Sequence, residues 1–133
     1  MSRWQTLIKD GKLDVAVCNS DANTVTIFLG DGTGNFTAAP ASPIPIGNQP
    51  EAIVTGDFNN DGNLDIATAN YGDDTVTLLL GNGDGTFTLA AGSPFAVGNN
   101  PTGIAAADFN GDGKLDLAVA NLTDGTVSIL LQQ

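Results

Sequence analysis

The sequence predicts an all-β chain assembled from copies of one four-stranded unit, and three observations carry that prediction. The first is an internal repeat of 51 residues without insertion or deletion: "TVTIFLGDGTGNFT" (24–37) returns as "TVTLLLGNGDGTFT" (75–88), and "TVSILL" (126–131) opens a third copy. "LDVAVCN" (13–19), "LDIATAN" (64–70) and "LDLAVAN" (115–121) keep the same offset, as do "SPIPIGNQPEAI" (42–53) and "SPFAVGNNPTGI" (93–104). The second is composition: 17 glycines among 133 residues, many Asn, Asp and Thr, and short β-branched runs, a mixture of strands and tight turns. The third is that strand interiors are apolar on both faces, as at Leu78, Leu79 and Leu80 or Val119 and Ala120, where a sheet with one wet face would alternate. Four-stranded units of this length, buried on both faces and stacked on their own copies, are β-propeller blades. About 2.6 copies fit in the chain, so the expected fold is a partial propeller.

The elements follow in order within each period. The first strand runs through "EAIVTGDF" or "TGIAAADF", the second through "LDIATAN" or "LDLAVAN", the third is "TVTLLLG", and the fourth spans "TFTLAAGSPFAVG". Turn-rich connectors, "YGDD", "GNGDG" and "GNNP", separate them. Repeat 1 covers about 1–47, repeat 2 about 48–98 and repeat 3 about 99–133, the last ending after its third strand. "MSRWQTLI" fits the first strand poorly and reads as a truncated or replaced start to repeat 1.

Fifteen acidic residues against four basic ones give a net charge of −11, which repels phosphate backbones and anionic membranes and argues against nucleic acid as a partner. No stretch is long and apolar enough to insert in a membrane. Histidine is absent, removing the usual general base, and the lone Cys18 excludes an internal disulfide. Cys18 aligns with Ala69 and Ala120 and reads as a small buried strand residue.

Six of the fifteen acids lie in two copies of one loop, "DFNNDGNLD" (57–65) and "DFNGDGKLD" (108–116). Hard cations need oxygen ligands and a tightly bent chain, and a D-x-N-x-D-G-x-x-D loop offers both. Side chains at positions 1, 3, 5 and 9, with the backbone carbonyl of position 7, give Asp57, Asn59, Asp61, Asn63 and Asp65 in one copy and Asp108, Asn110, Asp112, Lys114 and Asp116 in the other. Lysine is tolerable at 114 because only its main chain is used. The all-oxygen set favours Ca²⁺ over Zn²⁺ or Cu²⁺, and its flexibility favours Ca²⁺ over Mg²⁺. Two Ca²⁺ sites per chain are expected. In the first copy Thr6, Ile8, Asp10, Lys12 and Asp14 occupy those positions, and two carboxylates are too few to hold an ion. Expected use of Ca²⁺ places the chain outside the cell or at its surface.

"DFNGDGKLDLAVAN" followed by "VSILL" resembles the FG-GAP/VCBS-type repeats of integrin-α-like β-propellers, over essentially the whole chain. The resemblance implies a metal loop joining the innermost strand to the second on one face, with ligands taken on the opposite face. The opposite-face segments are "NSDAN" (19–23), "NYGDD" (70–74), "NLTDG" (121–125), "GNQPE" (47–51) and "GNNPT" (98–102). Asn19, Asn70 and Asn121 recur there and could hydrogen-bond a sugar or peptide, or could cap strand ends; Tyr71 could stack on a ligand or be an ordinary turn residue.

Two function classes follow. One is a non-catalytic, calcium-stabilised propeller module that binds a glycan or protein or serves assembly. The alternative is a carbohydrate-active enzyme, lyase- or dehydratase-like, which would need a general base in a pocket that this histidine-free chain does not advertise. A closed propeller needs at least about four blades, so either the chain is a piece of a longer propeller or identical chains complete one. The expectation is self-assembly, as a cyclic dimer of about six blades or, alternatively, a trimer of about eight, with "SRWQTLI" pairing on the partner's open third blade.

Overall fold

A computed structural model describes residues 2–133, with side chains from Thr6 onward. It is built of antiparallel sheets in three successive blades. Blade 1 holds β1 (Ser2–Gln5), β2 (Asp14–Asn19), β3 (Thr24–Gly30), β4 (Phe36–Ala38) and β5 (Ile44–Pro45). Blade 2 repeats this with β6 (Pro50–Gly56), β7 (Asp65–Asn70), β8 (Thr75–Gly81), β9 (Phe87–Leu89) and β10 (Phe95–Ala96). Blade 3 has β11 (Pro101–Ala107), β12 (Asp116–Asn121) and β13 (Thr126–Leu130), and the outer edge of β13 carries no further strand among the described residues. No helix among them is long and apolar enough to cross a membrane.

Two expectations are corrected. The fourth strand is two short pieces that both pair with the third: β9 runs beside Leu79–Gly81, and β10 beside Thr75 and Val76. Between them the chain bulges out in a turn, Ser93 N–H donating to the Ala90 carbonyl, and the Ser93 hydroxyl accepts the Leu78 amide at 2.9 Å in place of a strand partner. Ser42 does the same for Ile27 in blade 1. The irregular N-terminal segment is also no replaced start. Ser2–Gln5 pairs with β2 of its own blade, Gln5 opposite Asp14 and Trp4 opposite Val15, the register that Gly56–Asp65 and Thr55–Ile66 keep in blade 2. It therefore lies in its own sheet.

The core lies between the blades. Val25 and Ile27 of blade 1 pack with Ile53, Ile66 and Leu79 of blade 2. The other face of blade 2, with Val54, Ala67 and Val76, packs on Leu117 and Val119 of blade 3. Every residue of β7 is buried, as expected of a strand sandwiched between two neighbours. Each large side chain buried there contributes about 1.5–3 kcal/mol, so the junctions hold the blades at fixed angles. Cys18 is buried in the first junction.

The third strand of each complete blade ends on a glycine that has no room for a side chain. A Cβ on Gly81 would run into the Leu64 carbonyl, and one on Gly30 into that of Leu13. Gly81→Ala should destabilise the protein by about 2 kcal/mol. Gly103→Ala, whose Cβ would meet only the Ala120 Cβ at 3.5 Å, should stay within about 0.5 kcal/mol. Urea unfolding of the two variants checks the contrast.

Candidate metal loops and the opposite face

Each loop between first and second strands is closed by its own side chains. In blade 2 the Asp57 carboxylate accepts the amides of Asp61 at 3.1 Å and Gly62 at 2.8 Å. Asn59 Oδ1 accepts the Asp61 amide, and Asp61 Oδ1 accepts that of Asn63 at 2.7 Å. Blade 3 repeats the pattern: Asp108 accepts from Gly111, Asp112 and Gly113, Asn110 from Asp112, and Asp112 from Lys114. Gly62 and Gly113, at φ of 84° and 85°, take the left-handed conformation the sixth position requires.

The ninth position does something else. Asp65 is fully buried, and its oxygens accept the amides of Phe58 at 2.7 Å and Gly81 at 2.9 Å. Asp116 holds Phe109 and Gln132 in the same way, and Asp14 holds Ile8 and Gly30. This aspartate ties the start of the loop to the end of the third strand, and the sequence reading, which took it only as a ligand, missed that role. Its recurrence at Asp14, in the copy that lacks the carboxylate of position 1, was the available signal.

The degenerate first loop turns differently: Asp14 accepts the amide of the third loop position, Ile8, where Asp65 accepts that of the second, Phe58, and the Asp10 amide donates to the Ile8 carbonyl. Asp10 accepts the Lys12 amide at 2.9 Å, and Lys12 Nζ lies 3.7 Å from its other oxygen, so an ammonium sits beside the carboxylate there. Asn63 and Lys114 occupy the seventh position of their loops. Among the described residues no three Asp, Glu or Cys side chains converge closely enough to hold an ion as they stand. The donor set nonetheless fits a hard cation: each full loop gathers three carboxylates and one amide oxygen, without nitrogen or sulfur ligands. The carboxylates also repel each other. Burial pushes the Asp65 carboxyl up, against the pull of the Gly81 and Phe58 amides, and the charges of Asp61 and Asp57 push it further. Asp61 is held low by the Asn63 amide and the Asn59 side chain, and Asp108 by the amides of Gly113, Gly111 and Asp112.

On the opposite face the asparagines point inward. Asn70 is fully buried, donating to Thr75 Oγ1 at 3.1 Å and Thr77 Oγ1 at 2.8 Å and accepting from Thr68 Oγ1 at 3.1 Å. Asn121 is 2% exposed and donates to Thr126 and Ser128; its Oδ1 has no partner, because Val119 stands where blade 2 has Thr68. Asn19 donates to Thr24 and Thr26. These side chains brace the hairpin between second and third strands. Tyr71 is half-buried, with its amide donating to the Gln49 carbonyl.

The connectors between blades are gripped from both sides, a feature the sequence reading did not find. Asp73 accepts both the backbone amide and the side-chain amide of Asn48, each at 2.7 Å, and Asp124 repeats this fork on Asn99. From the preceding blade, Asn23 accepts the Gln49 amide at 2.8 Å and Asp74 that of Asn100 at 2.7 Å. The Asn99 amides hold the Asp124 carboxyl below its usual range.

A stack of antiparallel blades joined through apolar faces, with an acidic loop between the first two strands of the second and third, defines a β-propeller segment. The FG-GAP-like repeat model matches residues 7–68 and again 57–119, and the chain belongs to that family. Among solved structures, the crystal structure of BBS1N in complex with ARL6DN, soaked with lead, is similar with a TM-score of 0.56 and 16% identity. The match covers 96% of this chain and 41% of that one, and at this identity it shows the fold alone. Comparison with curated proteins finds no match.

Two outcomes follow. Asp65→Ala leaves two buried amides without acceptors and should cost about 3 kcal/mol even in chelator, measured by denaturant unfolding. In chelator, acid should also weaken the fold through Asp108 and Asp124. Their folded pKa values are depressed, so their contribution is present above the ordinary carboxylate pKa of about 3.9 and is lost as the pH falls through the lower folded values. Asp65, shifted upward, works in the opposite sense. Thermal melts from neutral pH into this acid range should show a smaller loss for Asp124→Asn than for the parent protein.

Proposed function

We propose that the chain is a non-catalytic calcium-binding propeller module, used outside the cell for assembly or for holding a glycan or protein ligand. Its membership of the FG-GAP-like repeat family and its bladed fold support a binding or structural role. The observation that carries the calcium reading is the contrast between loops. The first loop keeps the carboxylates of positions 5 and 9 but has Thr6 and Ile8 at positions 1 and 3, and its turn is closed by the Asp10 amide donating to the Ile8 carbonyl rather than to side-chain oxygens. The two loops that retain them are the two with a complete oxygen set.

In this reading Asp57, Asn59, Asp61, Asp65 and the Asn63 carbonyl hold one ion, and Asp108, Asn110, Asp112, Asp116 and the Lys114 carbonyl hold the other. The bound cation neutralises clustered carboxylates and stiffens the loop; it supplies stability rather than chemistry. Extracellular modules hold Ca²⁺ with dissociation constants of about 0.1–1 mM, so millimolar Ca²⁺ stabilises by about 1 kcal/mol per site. Chelator should lower the melting temperature, and Asp57→Ala and Asp108→Ala should each remove part of the calcium-dependent shift. The shift should vanish near pH 4, where protons compete for the carboxylates. Titration calorimetry with CaCl₂ is the direct check, and a flat thermogram would rule the sites out.

A further inference from the structure

We infer that two copies of this chain join head to tail, the open face of blade 3 on one copy docking against the open face of blade 1 on the other, and close a six-bladed ring. This deepens the assembly role and rests on the reading of the chain as a module, but not on calcium. Three observations converge on it.

The first is where the exposed apolar side chains lie. Val127, Ile129 and Leu131 are 63%, 47% and 52% exposed, and Phe109 is 48% exposed. One period earlier the same positions are Val76, Leu78, Leu80 and Phe58; Val76 and Phe58 are buried against blade 3, with Leu78 packed on them. One period earlier still, Val25 and Ile27 are fully buried against blade 2. Blade 3 thus presents the face that both preceding blades use to dock on the next.

The second lies at the other end. Leu13 of blade 1 is 60% exposed, whereas its counterparts Leu64 and Leu115 pack into the two junctions. Phe28, half-buried, stands where blade 2 places Leu79, a junction residue, and blade 3 places Leu130. Among the described side chains, Leu13 is thus left open on the face of blade 1 that receives a preceding blade, with Phe28 half-buried beside it and Val15, at the position of Ile66, buried. With both halves of one interface on the same molecule, two copies related by a two-fold axis satisfy both junctions at once.

The third is the pattern of connector grips, which suits a junction between two copies. Asp73 and Asp124 grip the connector entering their blades, and the corresponding residue of blade 1 is Ala22. Asn23 and Asp74 grip the connector leaving theirs, and the corresponding residue of blade 3 is Gly125. All three sit at left-handed φ, 57° for Asn23 and Asp74 and 63° for Gly125, so glycine relieves the turn where no side chain is used. The grips are missing on just the two hairpins that flank the proposed junction, which no connector crosses.

Light scattering after size exclusion should give the mass of two chains at micromolar concentration. Ile129→Asp and Leu13→Asp, placed on the two exposed end faces, should each yield monomers with unchanged β-sheet circular dichroism. Mixed together, they should recover a one-to-one pair, because one intact face remains on each. A monomeric parent protein, dimers indifferent to both substitutions, or failure of the mixture to pair would overturn the inference, and a three-chain mass would overturn the six-blade closure. Running the parent with CaCl₂ and with chelator separates the two readings: an intact dimer that binds no calcium sinks only the calcium sites, and a calcium-binding monomer sinks only the ring.

Discussion

A buried carboxylate holding two backbone amides, repeated in every blade, is the constraint on which the rest of the molecule depends. Asp14, Asp65 and Asp116 each bind an amide at the start of the acidic loop and another at the end of the third strand. That single residue fixes how far the loop projects and where the third strand stops. Removing a carboxylate from water is costly, and hydrogen bonds from two amides offset that cost only while both donors stay in place. The close approach of Gly30 and Gly81 to the carbonyls of Leu13 and Leu64 follows from it, since the strand end is drawn tightly against the neighbouring strand.

From that tie the two faces of the propeller segment diverge in character. On the loop face, side-chain oxygens gather around backbone amides and leave negative charge clustered and exposed, suited to a cation. On the hairpin face, Asn70 and its copies turn inward to hydroxyls, and the exposed Asp and Asn side chains clasp the connectors. The same residue types thus serve electrostatics on one face and covalent continuity between blades on the other.

Much of this was legible in the sequence, for physical reasons that vary by element. The second and third strands and the acidic loops announce themselves because their period, apolar on both faces, has no competing reading. Blade 1's first strand did not, because "SRWQ" stands where blade 2 has "IVTG", while its pairing is set by β2. The broken fourth strand was hidden because "TLAAGSPFAV" has strand composition; only the position of the Ser93 and Ser42 hydroxyls shows where ladder bonds are replaced. The connector grips were hidden for the opposite reason. Asn and Asp in turns are so common that Asp73 and Asn23 look like ordinary turn chemistry until the partner amides are located.

The split ownership of each connector has a consequence for how such chains grow and change. Because the residues that seize a connector belong half to the blade before it and half to the blade after it, the unit that can be copied intact runs from connector to connector. An unequal exchange between repeats at that boundary adds or removes a whole blade and leaves each remaining joint with both of its halves.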